Sequence, residues 1–436
     1  MSVKIPKRVA STVINSLKGG VVPRIGLSYI TVGRKAEIDA LLNDIDIIAD
    51  GGAAFRFIEG RYGSGKSFLL QAIRNYLMDR NFVVVDADLS PERKLHGNKG
   101  QGLATYRELV RNMSTKTCPE GGALSLILDR WISNVMATVS NDTDPESPDF
   151  TKAVEKRIST EVLSMSDMVR GFDFARLLTL YYRSYTENDE LMKAKVIRWF
   201  RGEFVNKTEA KNELGINLII TDDDWYEYLK VFAAFLKQAG YAGMVILIDE
   251  LVNLYKISNR ISRESNYEKI LSMYNDVLQG KAKYLGIIMC GTPECIENPQ
   301  RGIYSYEALR SRLSTGKFSN DDTKDMLAPI IKLDPLGYEE MTILVEKLSQ
   351  IHAVLFGYEV KLQEKDLVDF IKIEYGRIGA DSHITPREVI RDFIELLDIL
   401  YQYPEKTVDQ VLRSGDFQFA EGGLEEDEDA IPEFEI

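Results

Sequence analysis

Gly60-Arg61-Tyr62-Gly63-Ser64-Gly65-Lys66-Ser67 is the stretch on which the reading of the fold turns. It fits G-x-x-x-x-G-K-[ST] at every position, the spacing of a phosphate-binding loop. Its glycines let backbone N–H groups turn inward around phosphate oxygens, where a Cβ would block the approach. The helix that follows aims its positive end at the same anion. Lys66 reaches the β- and γ-phosphates as a mobile point charge, and the Ser67 hydroxyl suits Mg²⁺. Gly60, Arg61, Tyr62, Gly63, Ser64, Gly65 and Phe68 complete the candidate nucleotide contacts. The flanks agree. Phe55-Arg56-Phe57-Ile58-Glu59 reads as a short strand, and a helix over 67–79 turns Leu70, Ile73 and Leu77 inward.

Outward from the loop, strands and helices keep alternating. Phe82-Val83-Val84-Val85-Asp86 is a second strand, of the continuous apolar kind found in covered parallel sheets. Further strands are expected at 244–248, at 284–289 and near 330–333. Residues 104–240 read as mostly helical, broken at 141–149 by an Asp-, Pro- and Ser-rich exposed loop. Upstream, a short helix over 9–17 is stopped by Gly19-Gly20, residues 22–26 are extended, and a helix over 36–49 sets Ile38, Leu41, Leu42, Ile45 and Ile48 on one face. The expected fold class is α/β: a P-loop NTPase parallel-sheet core at 36–335, a large helical insertion at about 104–240, and a C-terminal helical lid at 336–402. A basic N-terminal helix and linker (1–35) and an acidic, disordered tail (403–436) flank these.

Composition narrows the class further. The 436 residues are 44% hydrophobic and 28% charged, an ordinary globular balance that excludes collagen-like and wholly disordered chains. Three cysteines form no CxxC or Cys/His cluster, which argues against a disulfide scaffold or structural zinc. Apolar runs such as 231–236 and 244–248 fall far short of the roughly 18–20 residues a bilayer span needs. No apolar h-region follows Lys4, Lys7 and Arg8, so a cytoplasmic protein without membrane contact is expected. Net charge is −13, unevenly placed: residues 1–35 hold seven Lys/Arg and no acid, and residues 421–436 hold eight Asp/Glu and no base. DNA contact by the basic head is possible on charge grounds, but bulk acidity argues against non-specific coating of DNA.

A second acidic motif gives the loop a partner. Gly243-Met244-Val245-Ile246-Leu247-Ile248-Asp249-Glu250 is an apolar strand ending in two carboxylates. Such a strand can lie beside the phosphate-loop strand, with Asp249 facing the Mg²⁺ shell and Glu250 polarising an attacking water. Alone, the same pair also reads as a helix cap. After the strand at 284–289, Thr292 offers a hydroxyl that can orient that water. Arg312, with Arg310 in reserve, is a candidate arginine finger reaching the γ-phosphate of a neighbouring subunit. Arg387, in Thr385-Pro386-Arg387-Glu388, can report the nucleotide state from the lid.

With these residues assembled, the chain resembles the AAA+ class of P-loop ATPases, near the origin-recognition (Orc/Cdc) and STAND branches. The matching pieces are Val32-Gly33-Arg34 with Glu37, the loop, the acidic strand, Gly291-Thr292-Pro293, Ser311-Arg312-Leu313 and Thr385-Pro386-Arg387. More narrowly it is similar to the ATP-binding component of BREX-type phage-defence systems. That likeness rests on Arg198-Trp199-Phe200-Arg201-Gly202-Glu203, Asp249-Glu250-Leu251-Val252-Asn253-Leu254, Asn266-Tyr267-Glu268-Lys269-Ile270-Leu271, and the run from Arg301 to Leu309. The resemblance implies an ATPase using ATP and Mg²⁺, forming homo-oligomers and working with other defence proteins as motor or switch. A nucleotide-gated scaffold with little hydrolysis and a DNA-associated loader are the alternatives. The origin-recognition proteins carry a winged-helix domain after the lid, and only a short acidic segment stands there in this chain.

Overall fold

The computed structural model describes residues 4–163, 171–314, 324–376 and 385–412. The acidic run at 421–436 lies outside the described residues. The chain divides into two compact units, one of Ala36–Gly60 and Ile73–Lys332, the other of Met1–Lys35, Arg61–Ala72 and Leu333–Ile436.

The first unit is built on five parallel strands: β1 (Ala53–Glu59), β2 (Val83–Asp88), β3 (Met244–Asp249), β4 (Leu285–Gly291) and β5 (Ile330–Lys332), ordered β2-β3-β4-β1-β5. Every residue of β3 and β4 is buried, so these strands read as unbroken apolar runs with no period-two alternation. The expected neighbour of the phosphate-loop strand is displaced: β4, not β3, pairs with β1, and β3 pairs with β4 and β2. Both runs suit an interior place in a covered sheet, and an apolar run carries no mark of which neighbour it takes. β1 carries one buried arginine, and the helix Lys35–Ala49 supplies its counter-charge. Arg56 grips Asp44 through Nε at 2.6 Å and Nη2 at 2.7 Å, and its Nη1 donates to the carbonyl of Leu327 at 2.7 Å.

The expected helical insertion is made of Gln101–Arg111, Leu124–Val139, Phe150–Leu163, Gly171–Glu187, Glu190–Phe200, Lys207–Leu214 and Trp225–Gln238. Residues 141–149 between two of them are largely exposed. Asp189 and Asn206 cap their helices by accepting from Met192 N and Glu209 N, both at 2.9 Å. Trp131, Trp199 and Trp225 are all buried, and Phe174 meets Phe232 edge-on at 5.1 Å. This aromatic interior is continuous with the apolar residues of the sheet, which makes the block part of the core.

The second unit packs Lys7–Lys18 with Tyr338–Phe356, Glu364–Tyr375 and Pro386–Gln402. Val13, Ile14 and Leu17 share one apolar cluster with Val345, Leu348, Phe393 and Leu397. Two sequence expectations change here. Of residues 4–35, the expected helix and the segment after it both pack into this unit, with Leu27 and Ile30 in the same cluster as Val13. The chain does not dissolve at 403: Val408–Leu412 is a helix that buries Val408 and Val411 in the same cluster. Two valines three apart are too short a period to stand out in sequence. Among the described residues, no helix is long and apolar enough to cross a membrane.

Candidate functional site

The phosphate-loop residues from Arg61 onward belong to the second unit, and their surroundings there are specific. Gly63 and Gly65 adopt φ of 75° and 98°, the left-handed region that strains any side chain. A Cβ added at Gly65 would meet nothing within 4 Å, whereas one at Gly63 would lie 2.6 Å from Thr385 Oγ1. Gly65 therefore leaves open space, and Gly63 permits close packing. The Ser64 hydroxyl is buried with no hydrogen-bond partner, an unusual cost for a polar atom. Lys66 Nζ donates to the Arg61 carbonyl at 2.8 Å, and Ser67 is exposed in the first turn of the helix Lys66–Asp79.

Residues distant in sequence hold this loop. Arg34 donates from Nη2 to the Ser64 carbonyl at 3.0 Å. Thr385 caps the helix Pro386–Gln402, its N and Oγ1 donating to Glu388 Oε2 at 2.8 and 3.1 Å, and its side chain abuts Gly63. Arg387, two residues on, lies over the Tyr62 ring at 4.9 Å from the centroid. An orphaned hydroxyl, a glycine facing open space, a lysine and an arginine fit the phosphates of a nucleotide.

The C-terminal edge of the sheet carries the carboxylates. Asp249, 8% exposed, ends β3 in register with Asp88, the last residue of β2. Glu250 follows exposed, with φ 61°, and its backbone N–H donates to Asp249 Oδ1 at 2.8 Å. Thr292 follows β4 and is buried, and its side chain makes no cap bond to the helix Pro293–Glu297. Its strand is flanked by β1 on one side and β3 on the other, so Thr292 lies between the tips of the two motif strands.

Two further carboxyls were not singled out by sequence. Asp88 has an exposed edge, yet its surroundings push its pKa up to about 6, through desolvation first and then the charges of Asp249, Asp86 and Glu250, against the pull of Arg93. Glu59 ends β1 one residue before Gly60, and its pKa rises to about 7. Burial is the main cause and Glu297 adds to it, while Lys332 Nζ, 3.5 Å away, opposes the shift. Its Oε2 is buried without a hydrogen-bond partner. Both carry the signature that marked Asp249, an acid closing an apolar strand.

The candidate finger arginines are on the short helix Glu307–Leu313. Arg310 pairs with Glu307 at 2.9 Å, while the exposed Arg312 turns Nη1 onto the Ala308 carbonyl of its own helix at 2.7 Å. The longer strings quoted above are braces. Trp199 Nε1 donates to Leu218 O at 2.7 Å, and Tyr267 Oη to Arg301 O at 2.6 Å. Asn253 Nδ2 donates to Leu89 O, and Asn266 Oδ1 accepts from Leu95 N and His96 N, all at 2.9 Å. Asparagines thus tether the segment that leaves β2.

Residues 5–416 match the model of the family described as BREX system ATP-binding protein BrxC/D, and the chain belongs to that family. Membership carries ATP binding within a BREX system. No curated protein matches the chain.

Proposed function

We propose that this member of the BREX ATP-binding family is an AAA+-like P-loop ATPase that hydrolyses ATP and acts as a motor or switch in a multi-component bacterial anti-phage defence system. The observation that carries hydrolysis over mere binding is Glu250: an exposed glutamate held at φ 61° just past a wholly buried strand. A non-glycine residue kept in that region costs roughly 1–3 kcal/mol and persists where a function or the surrounding packing over-determines it.

In this reading the loop amides, Lys66 and the Ser64 hydroxyl bind the triphosphate, and Arg387 adds charge from the lid. Ser67 and Asp249 are the side chains that would hold magnesium, which would supply positive charge against the phosphates. Glu250 takes the proton of the attacking water and Thr292 orients it. Arg312 acts on a neighbouring copy of the chain, so the working form is a homo-oligomer associated with other defence proteins in the cytoplasm.

The deciding experiment measures phosphate release and nucleotide affinity side by side for the native protein and for Glu250→Gln. Retained ATP binding with turnover lost is expected. Equal turnover in the two would reduce Glu250 to a structural turn residue, and a native protein that binds ATP without turnover would leave a scaffold.

A further inference from the structure

We infer that Tyr62 is a positioning residue: its ring is the platform that presents the Arg387 guanidinium to the phosphates and so sets the preference of the loop for ATP over ADP. The inference rests on the reading that this loop binds ATP, and it adds a residue whose side chain the motif does not specify.

The argument is geometric. Arg387 lies over the ring face with its Cζ 4.9 Å from the centroid, within cation–π range. A guanidinium carries five N–H donors in a planar fork, and a contact with a ring supplies none of them with an oxygen acceptor. Among the described residues no hydrogen bond or ion pair engages Arg387. A side chain with so many rotatable bonds gains a fixed place only from packing, and the Tyr62 ring supplies it. Tyr62 is itself 58% exposed, so no core packing explains an aromatic residue at this point of the loop.

The surroundings fix the distance between the two partners. Gly63 abuts the Thr385 side chain on one side of Tyr62, and Thr385 is locked by its bonds to Glu388. Ser64 is held through its carbonyl by Arg34. Tyr62 adjoins Gly63 and Arg387 stands two residues after Thr385, so ring and guanidinium meet as a consequence of backbone placement. A cation delivered at a phosphate loop favours the more highly charged triphosphate, and a charge-assisted bond to phosphate exceeds an exposed cation–π contact. The ring can thus orient Arg387 and still release its donors to a nucleotide.

Calorimetric titration of the full chain with Mg-ATP and with Mg-ADP tests this. Tyr62→Ala should weaken ATP binding about threefold, the scale of an exposed cation–π contact, and leave ADP nearly unchanged. Tyr62→Phe keeps the ring and should bind like the native protein, whereas Tyr62→Leu should behave like alanine. Arg387→Ala should lose about tenfold or more for ATP, and adding Tyr62→Ala to it should cost nothing further. Additive losses, equal losses for both nucleotides, or leucine performing as well as phenylalanine would each overturn the inference while leaving ATP binding intact. A native protein that binds neither nucleotide would overturn the parent reading, and this one with it.

Discussion

The backbone N–H of Glu250 donates to Oδ1 of Asp249 at 2.8 Å, in a turn at the end of β3 where Glu250 stands at φ 61°. Asp249 is buried at this turn and Glu250 is exposed. Glycine takes that backbone angle without strain, so Glu250→Gly should raise stability by about 1 kcal/mol while abolishing ATP turnover. Urea denaturation with a parallel phosphate-release assay checks it, and a destabilised variant would show that the side chain is a structural prop.

Lys66→Ala should eliminate ATP binding in a titration, because it removes the point charge that the loop offers to the β- and γ-phosphates. Native-like affinity in this variant would remove the phosphate-loop assignment.

Breaking the Arg56–Asp44 pair exposes the cost of an isolated buried charge. Both side chains are 10% exposed, and Asp44→Ala leaves the arginine with carbonyl partners alone. A loss of about 3–5 kcal/mol is expected in chemical denaturation. A loss under 1 kcal/mol would mean that the guanidinium finds water.

Glu59 predicts a pH dependence whose sign follows from its raised pKa. Between its ordinary value of 4.5 and about 7, the folded chain binds more protons at this site than the unfolded chain does. Its contribution to stability is therefore full below about pH 4.5 and lost as pH rises toward 7, a penalty of about 3 kcal/mol. Glu59→Gln should flatten that part of the stability profile, measured as midpoint against pH from 5 to 8. A slope equal to the native one would place the titrating group elsewhere.

Arg312→Ala should lower turnover by roughly 10³–10⁵ with ATP affinity intact if it acts across a subunit boundary. Mixing it with Lys66→Ala protein should then recover activity, because some boundaries pair an intact loop with an intact arginine. No recovery at any mixing ratio argues against a shared site.

Strands and the phosphate loop were legible because their signals are local. Val83-Val84-Val85 and Met244–Asp249 announce buried strands, and the glycine spacing announces the loop, in which Gly63 and Gly65 take left-handed φ. Strand order was not legible, since nothing in β3 or β4 says which of them lies against β1. Asp88 and Glu59 were passed over because the meaning of a carboxylate depends on neighbours across the ladder, as with Asp88 beside Asp249. The role of residues 4–35 was hidden for a similar reason: the cluster that takes Val13 and Leu17 includes Val345 and Phe393, more than three hundred positions away.

The grouping of Arg61–Ala72 with both ends of the chain has a practical consequence for anyone cutting this protein into pieces. A fragment that begins at residue 36 or stops before 385 would still contain the glycine signature letter for letter. It would nonetheless have discarded Arg34, or Thr385 and Arg387, the side chains that give those letters their shape. Motif-intact deletions should therefore be inert for want of scaffolding, and an inactive truncation would say nothing about the chemistry of the part retained.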